Sequence, residues 1–308
     1  MKEIKIFCPA TIANLSCGFD VLGTCLENVG DQMIIRKIAE KGIKITKIIG
    51  ADLPLETEKN VAGVAGLALL NEVDTEFGFE IEIYKNIKAG SGIGSSAASA
   101  AGAVSGINDL LGKPFSRKEL VKFAMQGEVL ASGSAHADNV APCLLGGFTL
   151  VRTANPLDIV RIESPTDLYA TVIHPQIELK TADMRAVLQP MISLKSAIAQ
   201  WGNVGALVSG LHSSNYELIG RSLQDVVVEP LRSKFIPFFD EIKKISIENG
   251  ALGSGISGSG PSIFALSHGL ENAEKVAKAM KSVFVKSGIE FDIHVSRINS
   301  DGVKIIQT

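Results

Sequence analysis

The chain has 308 residues, 46% of them hydrophobic and 20% charged, with a formal net charge of −3, enough for two ordinary domains with substantial cores. So small a net charge, with 6% aromatic residues and none interleaved with Lys or Arg, argues against nucleic acid or an anionic membrane surface as partner. Four scattered cysteines (Cys8, Cys17, Cys25, Cys143) make no C-x-x-C pair and read as small buried hydrophobes in a reducing compartment; no apolar run suits a signal core or a membrane span, so the expected location is cytoplasmic.

The alternating "EIKIF" opens the chain as a strand, after which "CPATIANLSCGFDVLGTCL" loses periodicity and reads as a structured loop leading into a hairpin. "DQMIIRKI" and "GIKITKII" read as strands, "EKNVAGVAGLALLNEV" as a helix, and "FEIEIYKNI" as a further strand. The spacing of Ala97, Ala101, Val104, Ile107 and Leu111 predicts a helix stopped at Gly112, and "SRKE" at Ser116–Glu119 is a capping box for the next one. "GGFTLVR" and "IVRIE" form a strand pair, and "ESPTD" marks a boundary near residue 165. Beyond it come the strand "LYATVIHP", a mostly helical stretch over Thr181–Ser209, and more helix at Arg221 and over Ser233–Asn249. Strand "SIFALS", helix "ENAEKVAKAMKSVFVKSG" and strand "EFDIHVSRI" close the chain, so the fold class is α+β, divided into residues 1–165 and 166–308.

The stretch "KAGSGIGSSAASAAG" (Lys88–Gly102) lies between a strand and a helix. A flexible linker does not suit that setting, because both neighbours need a core. Gly92, Gly94 and Ala97 satisfy G-x-G-x-x-[GA], but a dinucleotide fold next requires a strand ending in an acid, and here a second capped helix follows. "GSGISG" (Gly253–Gly258) also matches, but it follows a helix and precedes a strand. A phosphate cradle remains: glycines bring backbone N–H groups close to an anion at a helix N-terminus, and Ser95 and Ser96 add hydroxyls. The Walker pattern G-x-x-x-x-G-K-[ST] is absent.

Glu128 falls on the apolar face of its helix, with Leu120, Phe123, Ala124 and Ala131. A carboxylate there needs a cation, either a structural ion-pair partner or a metal. "HADN" gathers His136, Asp138 and Asn139, either as a hydrogen-bonded loop or as part of a site.

"GSGIGSSAA" resembles the second motif of the GHMP kinases, with Lys88 where that motif usually has Pro. "PATIANLSCGFDVLG" (Pro9–Gly23) and "SGSAHADNVAP" (Ser132–Pro142) are similar to the homoserine-kinase form, and "GSGISGSGPSIFAL" (Gly253–Leu266) resembles the third motif. The resemblance spans the chain in the expected order. It implies a two-domain GHMP kinase fold, with an N-terminal βαβ-type nucleotide-binding domain and a C-terminal ferredoxin-like sandwich. It also implies ATP and Mg²⁺ as cofactors, a homodimer, and L-homoserine as acceptor; a mevalonate- or shikimate-type kinase is the alternative.

Matched residue by residue, the nucleotide lies against Lys88, Gly90, Ser91, Gly92, Ile93, Gly94, Ser95 and Ser96, with Asn60 and Val61 bordering adenine. Ser96 and Glu128 are the implied Mg²⁺ ligands. For a zwitterionic acceptor, Asp20 is the implied partner of the ammonium with Asn14 nearby, and Arg185 and Arg232 of the carboxylate, which the guanidinium fork suits. Without the resemblance each arginine reads as a surface ion pair. Thr181 and His136 are implied neighbours, Asn139 orients the hydroxyl, and Asp138 binds substrate with a base role open. Lys88 is either another way into the loop or a cation beside the phosphates.

Overall fold

The computed structural model describes residues 2–307. In the first part the chain runs β1 (Glu3–Ala13), β2 (Leu22–Ile38), β3 (Ile43–Ile49), α1 (Val61–Leu70), β4 (Gly78–Tyr84), α2 (Ser95–Leu110), α3 (Arg117–Ser132), α4 (Val140–Leu145), β5 (Phe148–Ala154) and β6 (Leu157–Ile162). It continues with β7 (Leu168–Pro175), α5 (Thr181–Ala186), α6 (Leu194–His212), α7 (Tyr216–Ser222), α8 (Glu229–Arg232) and α9 (Phe239–Glu248). The last elements are β8 (Ala251–Ile256), β9 (Ile263–His268), α10 (Leu270–Val285), β10 (Phe291–Arg297) and β11 (Lys304–Gln307).

The first sheet has the order β11-β1-β2-β4-β3, with β5 and β6 continuing from the far end of β2. Only β3 and β4 pair in parallel, and α1 makes the crossover between them, so a single βαβ unit sits in an otherwise antiparallel sheet. The second sheet, β10-β7-β9-β8, is antiparallel throughout. With helices between β7 and β8 and α10 between β9 and β10, it is the ferredoxin-like arrangement.

Burial explains why these elements form. Along β1 and β4, Ile4, Ile6, Phe79, Ile81 and Ile83 alternate inward. Alanines and glycines dominate α2, which is buried over almost its whole length; Gly102 and Gly106 let it lie directly on Cys8 and Ile35. One apolar cluster runs from Ile4 and Phe148 through Leu211 to Phe264, and a smaller one packs α9 and α10 on the second sheet.

Several sequence readings are corrected. β1 does not stop at Phe7: it continues through Pro9 to Ala13, leaving only residues 14–21 as loop. Pro9 is tolerated because the pairing with β2 shifts register there. Gly253 and Gly255 lie between a helix and a strand as expected, and they themselves form strand β8. The helical stretch from Thr181 is interrupted over residues 187–193, which include Pro190. Short α4, with an internal Pro142, and β11, which returns to pair with β1, are additional elements.

Candidate active site

The loops from β1 to β2, from β4 to α2 and from β8 to β9, with α3, α5 and α8, surround one cavity of about 660 Å³. Of the residues expected at a site, all but Lys88 and Ile93 line it.

One part of the cavity wall is the glycine loop. Gly90, Gly92 and Gly94 have φ of 72°, 80° and 74°, a left-handed conformation that glycine adopts without strain. A Cβ at Gly92 would fall 2.5 Å from the Gly260 carbonyl oxygen, and one at Gly94 1.9 Å from Thr11 Oγ1. The turn between β8 and β9 therefore packs directly on the loop, and Ser257 and Ser262 donate to the Gly92 and Ser91 carbonyls. No side chain caps α2 at Gly94, so the N–H groups of its first turn are open to an anion. Ser95 Oγ donates to the Ile87 carbonyl at 3.0 Å, leaving Ser96 as the hydroxyl that faces the cavity beside Glu128.

Sequence reasoning missed what shapes this loop from below. Lys85, at the cavity wall, pairs with buried Asp31 and donates to Ser95 O at 2.9 Å and Ser99 Oγ at 3.1 Å. Asp31 Oδ1 accepts the N–H groups of Asn86 at 2.7 Å and Ile87 at 2.9 Å. The available signal was an acid inside the apolar strand "VGDQMII" and a lysine at the exit of "EIYKNI", each requiring a partner when buried.

Glu128 is buried among the helices, and burial pushes its carboxyl up to about 7 while the nearby Ser96 hydroxyl opposes the shift. Among the described residues its Oε1 has no hydrogen-bond partner, a costly state for a buried carboxylate. Among the described residues no three His, Cys, Asp or Glu side chains form a metal cluster. A cation here would draw only Glu128 and Ser96 from the protein and its other oxygens from phosphates and water, a donor set that suits Mg²⁺. Asp138 is likewise pushed up to about 7, first by burial and then by Asp20 and Glu128.

Side chains make another part of the cavity wall, which meets the glycine loop at Gly258. Asp20 and Arg185 form a fork, with contacts of 2.8, 3.0 and 3.1 Å, and His136 Nδ1 lies 3.8 Å from Asp20. Phe19, unforeseen from the sequence, carries both guanidinium groups on its ring, Arg185 at 5.4 Å and Arg232 at 5.1 Å from the centre. Arg232 is buried and donates to the carbonyls of Met184 at 2.9 Å and Gly258 at 3.1 Å. Burial, then Arg185, pulls its pKa down to about 10, so it stays charged at neutral pH. Asn139 accepts from the Thr11 hydroxyl at 2.6 Å, and Thr181 lies 3.3 Å from Ser259 Oγ.

Some expected residues are occupied elsewhere. Asn14 spends its side chain on Gly258 O and the Asp20 N–H. Asn60 donates to Pro54 O and caps α1 by accepting the Ala62 N–H; apolar Leu53, Pro54, Val61 and Ile83 line the cavity near it. Ile93 points into the core. Lys88 is exposed and turned outward, its ammonium bonded to Gln176 and 3.7 Å from Asp292.

A βαβ-bearing sheet joined to a ferredoxin-like sandwich, with a glycine cradle at their junction, defines a class. The family models of the GHMP kinases N terminal domain and GHMP kinases C terminal match residues 58–147 and 205–286. At the level of individual families, the chain is 47% identical to the homoserine kinase of Chlorobium phaeobacteroides strain BS1 over 99% of its length and 100% of that protein. It is 45% identical to that of Chlorobaculum tepidum, covering 100% of this chain and 99% of the relative. The crystal structure of homoserine kinase from Cytophaga hutchinsonii superposes with a TM-score of 0.96 at 52% identity, over 99% of this chain and 98% of that one. The chain belongs to the homoserine kinase family of the GHMP kinases.

Proposed function

We propose that this protein transfers the γ-phosphoryl group of ATP to the hydroxyl of L-homoserine, giving ADP and O-phospho-L-homoserine, a step of threonine biosynthesis. The observation that carries the reading is the make-up of the cavity wall. It combines the open backbone N–H groups of a helix N-terminus with the charged side chains Asp20, Arg185 and Arg232, and Asp138 and Asn139 also line it. A zwitterion matches the charged end: its ammonium meets Asp20, and its carboxylate meets the arginines.

Asn139 orients the acceptor hydroxyl toward the γ-phosphate, and Asp138 and His136 line the substrate. Phosphoryl transfer through a loose transition state depends on positioning and charge neutralisation more than on early proton removal, so the hydroxyl attacks directly. Ser96 and Glu128 would hold Mg²⁺, which would supply charge neutralisation for the phosphates when bound. The glycine loop from Gly90 to Ser96 takes the phosphates, and the wall of Leu53, Pro54 and Val61 takes adenine. Residues 1–165 and 166–308 are read as the two structural units.

The test is an ADP-release assay with L-homoserine, mevalonate and shikimate. Turnover of homoserine alone is expected; turnover of mevalonate or shikimate in its place overturns the reading, since neither carries an ammonium for Asp20.

A homodimer in the cytoplasm is part of the same proposal. Leu194, Ile198 and Trp201 form an exposed apolar stripe along α6, and a Cβ at Gly202 or Gly205 would meet nothing within 4 Å. That face offers both a knob and a hole to a second copy. Sedimentation equilibrium of wild type and Trp201→Ala reads it, with dissociation of the variant expected.

A further inference from the structure

We infer that Gln200 and Asp225, neither of which lines the cavity, are positioning residues that clamp the two segments of the acceptor end together. The inference rests on the reading that Asp20 and Arg232 hold the acceptor.

The first segment is the loop after β1. Asn14, Leu15 and Ser16 have φ of 72°, 44° and 61°, and Asp20 has 60°. Three consecutive non-glycine residues in the left-handed region persist only where the surroundings over-determine them. Leu15 is buried, and the Asn14 side chain ties the loop from within. Ser16 supplies no tether, because its buried hydroxyl has no partner among the described residues.

From outside, Gln200 on α6 supplies one. Its amide nitrogen donates to the Cys17 carbonyl at 2.8 Å and to Asp225 Oδ1 at 3.0 Å, while its oxygen accepts the Val226 N–H at 3.0 Å. Asp225 in turn accepts the N–H groups of Val227 at 2.8 Å, Val228 at 3.0 Å and Glu229 at 2.8 Å. It thereby fixes the start of α8, whose last residue is Arg232. One primary amide thus links the loop bearing Asn14 and Asp20 to the turn that aims Arg232. The helix that carries it is anchored in the core through Leu207 and Leu211. The geometry requires two donors and one acceptor on one side chain of this length, a combination that Glu lacks and Asn reaches only with a shorter arm.

Steady-state kinetics with each substrate varied tests the clamp. Gln200→Ala is expected to raise the KM for L-homoserine about ten-fold, the effect of one well-made hydrogen bond, with the KM for ATP within about two-fold of wild type. Gln200→Glu, which cannot donate to Cys17, is expected to do at least as much. Asn203→Ala is the control: it removes a 3.0 Å bond from the same helix to Gln224 O but nothing from the 14–20 loop, and should leave both KM values unchanged. An unchanged homoserine KM in Gln200→Ala, an equal rise in both KM values, or an Asn203→Ala variant that behaves alike would each overturn the clamp. Wild-type turnover in the same assay tests the substrate reading separately. If another acceptor alcohol is the substrate, the variant-to-wild-type ratio for that alcohol still decides whether the clamp exists.

Discussion

The two ends of the cavity are made of different material. The part proposed to take the nucleotide is mostly backbone: Gly90, Gly92 and Gly94 in left-handed conformations, with the open first turn of α2. The acceptor end is mostly side chain, with Asp20, Arg185, Arg232 and Phe19 brought from three separate loops or helices. Backbone recognition suits an anion that looks the same in every nucleotide, whereas side chains distinguish one small alcohol from another. Truncating a side chain should therefore cost little at the first end and much at the second, and Glu128 is the exception that tests the rule.

Glu128→Gln should produce the largest change. It keeps the shape but removes the carboxylate that faces Ser96, and kcat is expected to fall about 10³-fold, at the upper range for losing one preorganised electrostatic contact. The KM for homoserine should stay near its wild-type value. A fall of less than about ten-fold would mean that this carboxylate is structural and the nucleotide end is backbone alone.

Next in size is the pH dependence of stability in the unliganded protein. Burial pushes Glu128 from 4.5 to about 7 and Asp138 from 3.8 to about 7. The folded state therefore retains protons that the unfolded chain has already released. Stability from these groups is greatest below about pH 4, falls as pH rises toward 7, and levels off above it. For Glu128 the change is on the order of 3 kcal/mol. His174, pulled down to about 4 by burial, has the opposite slope, losing stability as pH falls below its ordinary 6.5. The informative quantity is the difference in unfolding free energy between wild type and Glu128→Gln at pH 5 and pH 8. The variant should gain relative to wild type at the higher pH, and parallel curves would refute a buried protonated carboxyl.

The two ends also differ in how far the sequence discloses them. Glycines at short spacing after a strand announce a backbone site locally, because the conformation they permit is the function. Nothing local says that Asp20 faces Arg185, which lies 165 positions away; matching the family's motifs placed both residues, but not their fork. In the sequence Phe19 is one more apolar loop residue, and Asp31 and Lys85 are charges in or beside strands, whose partners come from elsewhere in the fold. The same limit explains the fold errors. β11 has only four residues and exists because β1 offers an open edge, and β1 runs past Pro9 because a register shift spares the missing N–H. Long periodic segments such as α2 and α10 carry their own signal and were legible.

Arg232→Ala sharpens the acceptor half of the comparison. The side chain is buried, stacks on Phe19 and bonds two carbonyls, so its removal leaves those acceptors unpaired and, on the proposed reading, the substrate carboxylate as well. A rise of about 30-fold in the KM for homoserine is expected, near 2 kcal/mol, with the KM for ATP unchanged. Arg232→Lys should recover only part of it, because an ammonium reproduces neither the fork nor the stacking. A matching loss of ATP affinity would show that the two ends are not separable.

Lys88 should give the smallest effect, and it tests the backbone half directly. It stands at the approach to the glycine loop, where a cation could be taken for a phosphate ligand. Its ammonium is instead turned toward Gln176 and Asp292, with both charged side chains about half exposed. An exposed pair of that kind contributes at most about 1 kcal/mol and is screened by salt. Asp31 and Lys85 already hold the loop from the buried side. Lys88→Ala is therefore expected to change the KM for ATP by less than about three-fold at physiological ionic strength, and Asp292→Ala should do the same. A ten-fold loss confined to Lys88→Ala would mean that the ammonium swings onto the phosphates when nucleotide binds, and the nucleotide end would then need a side-chain cation after all.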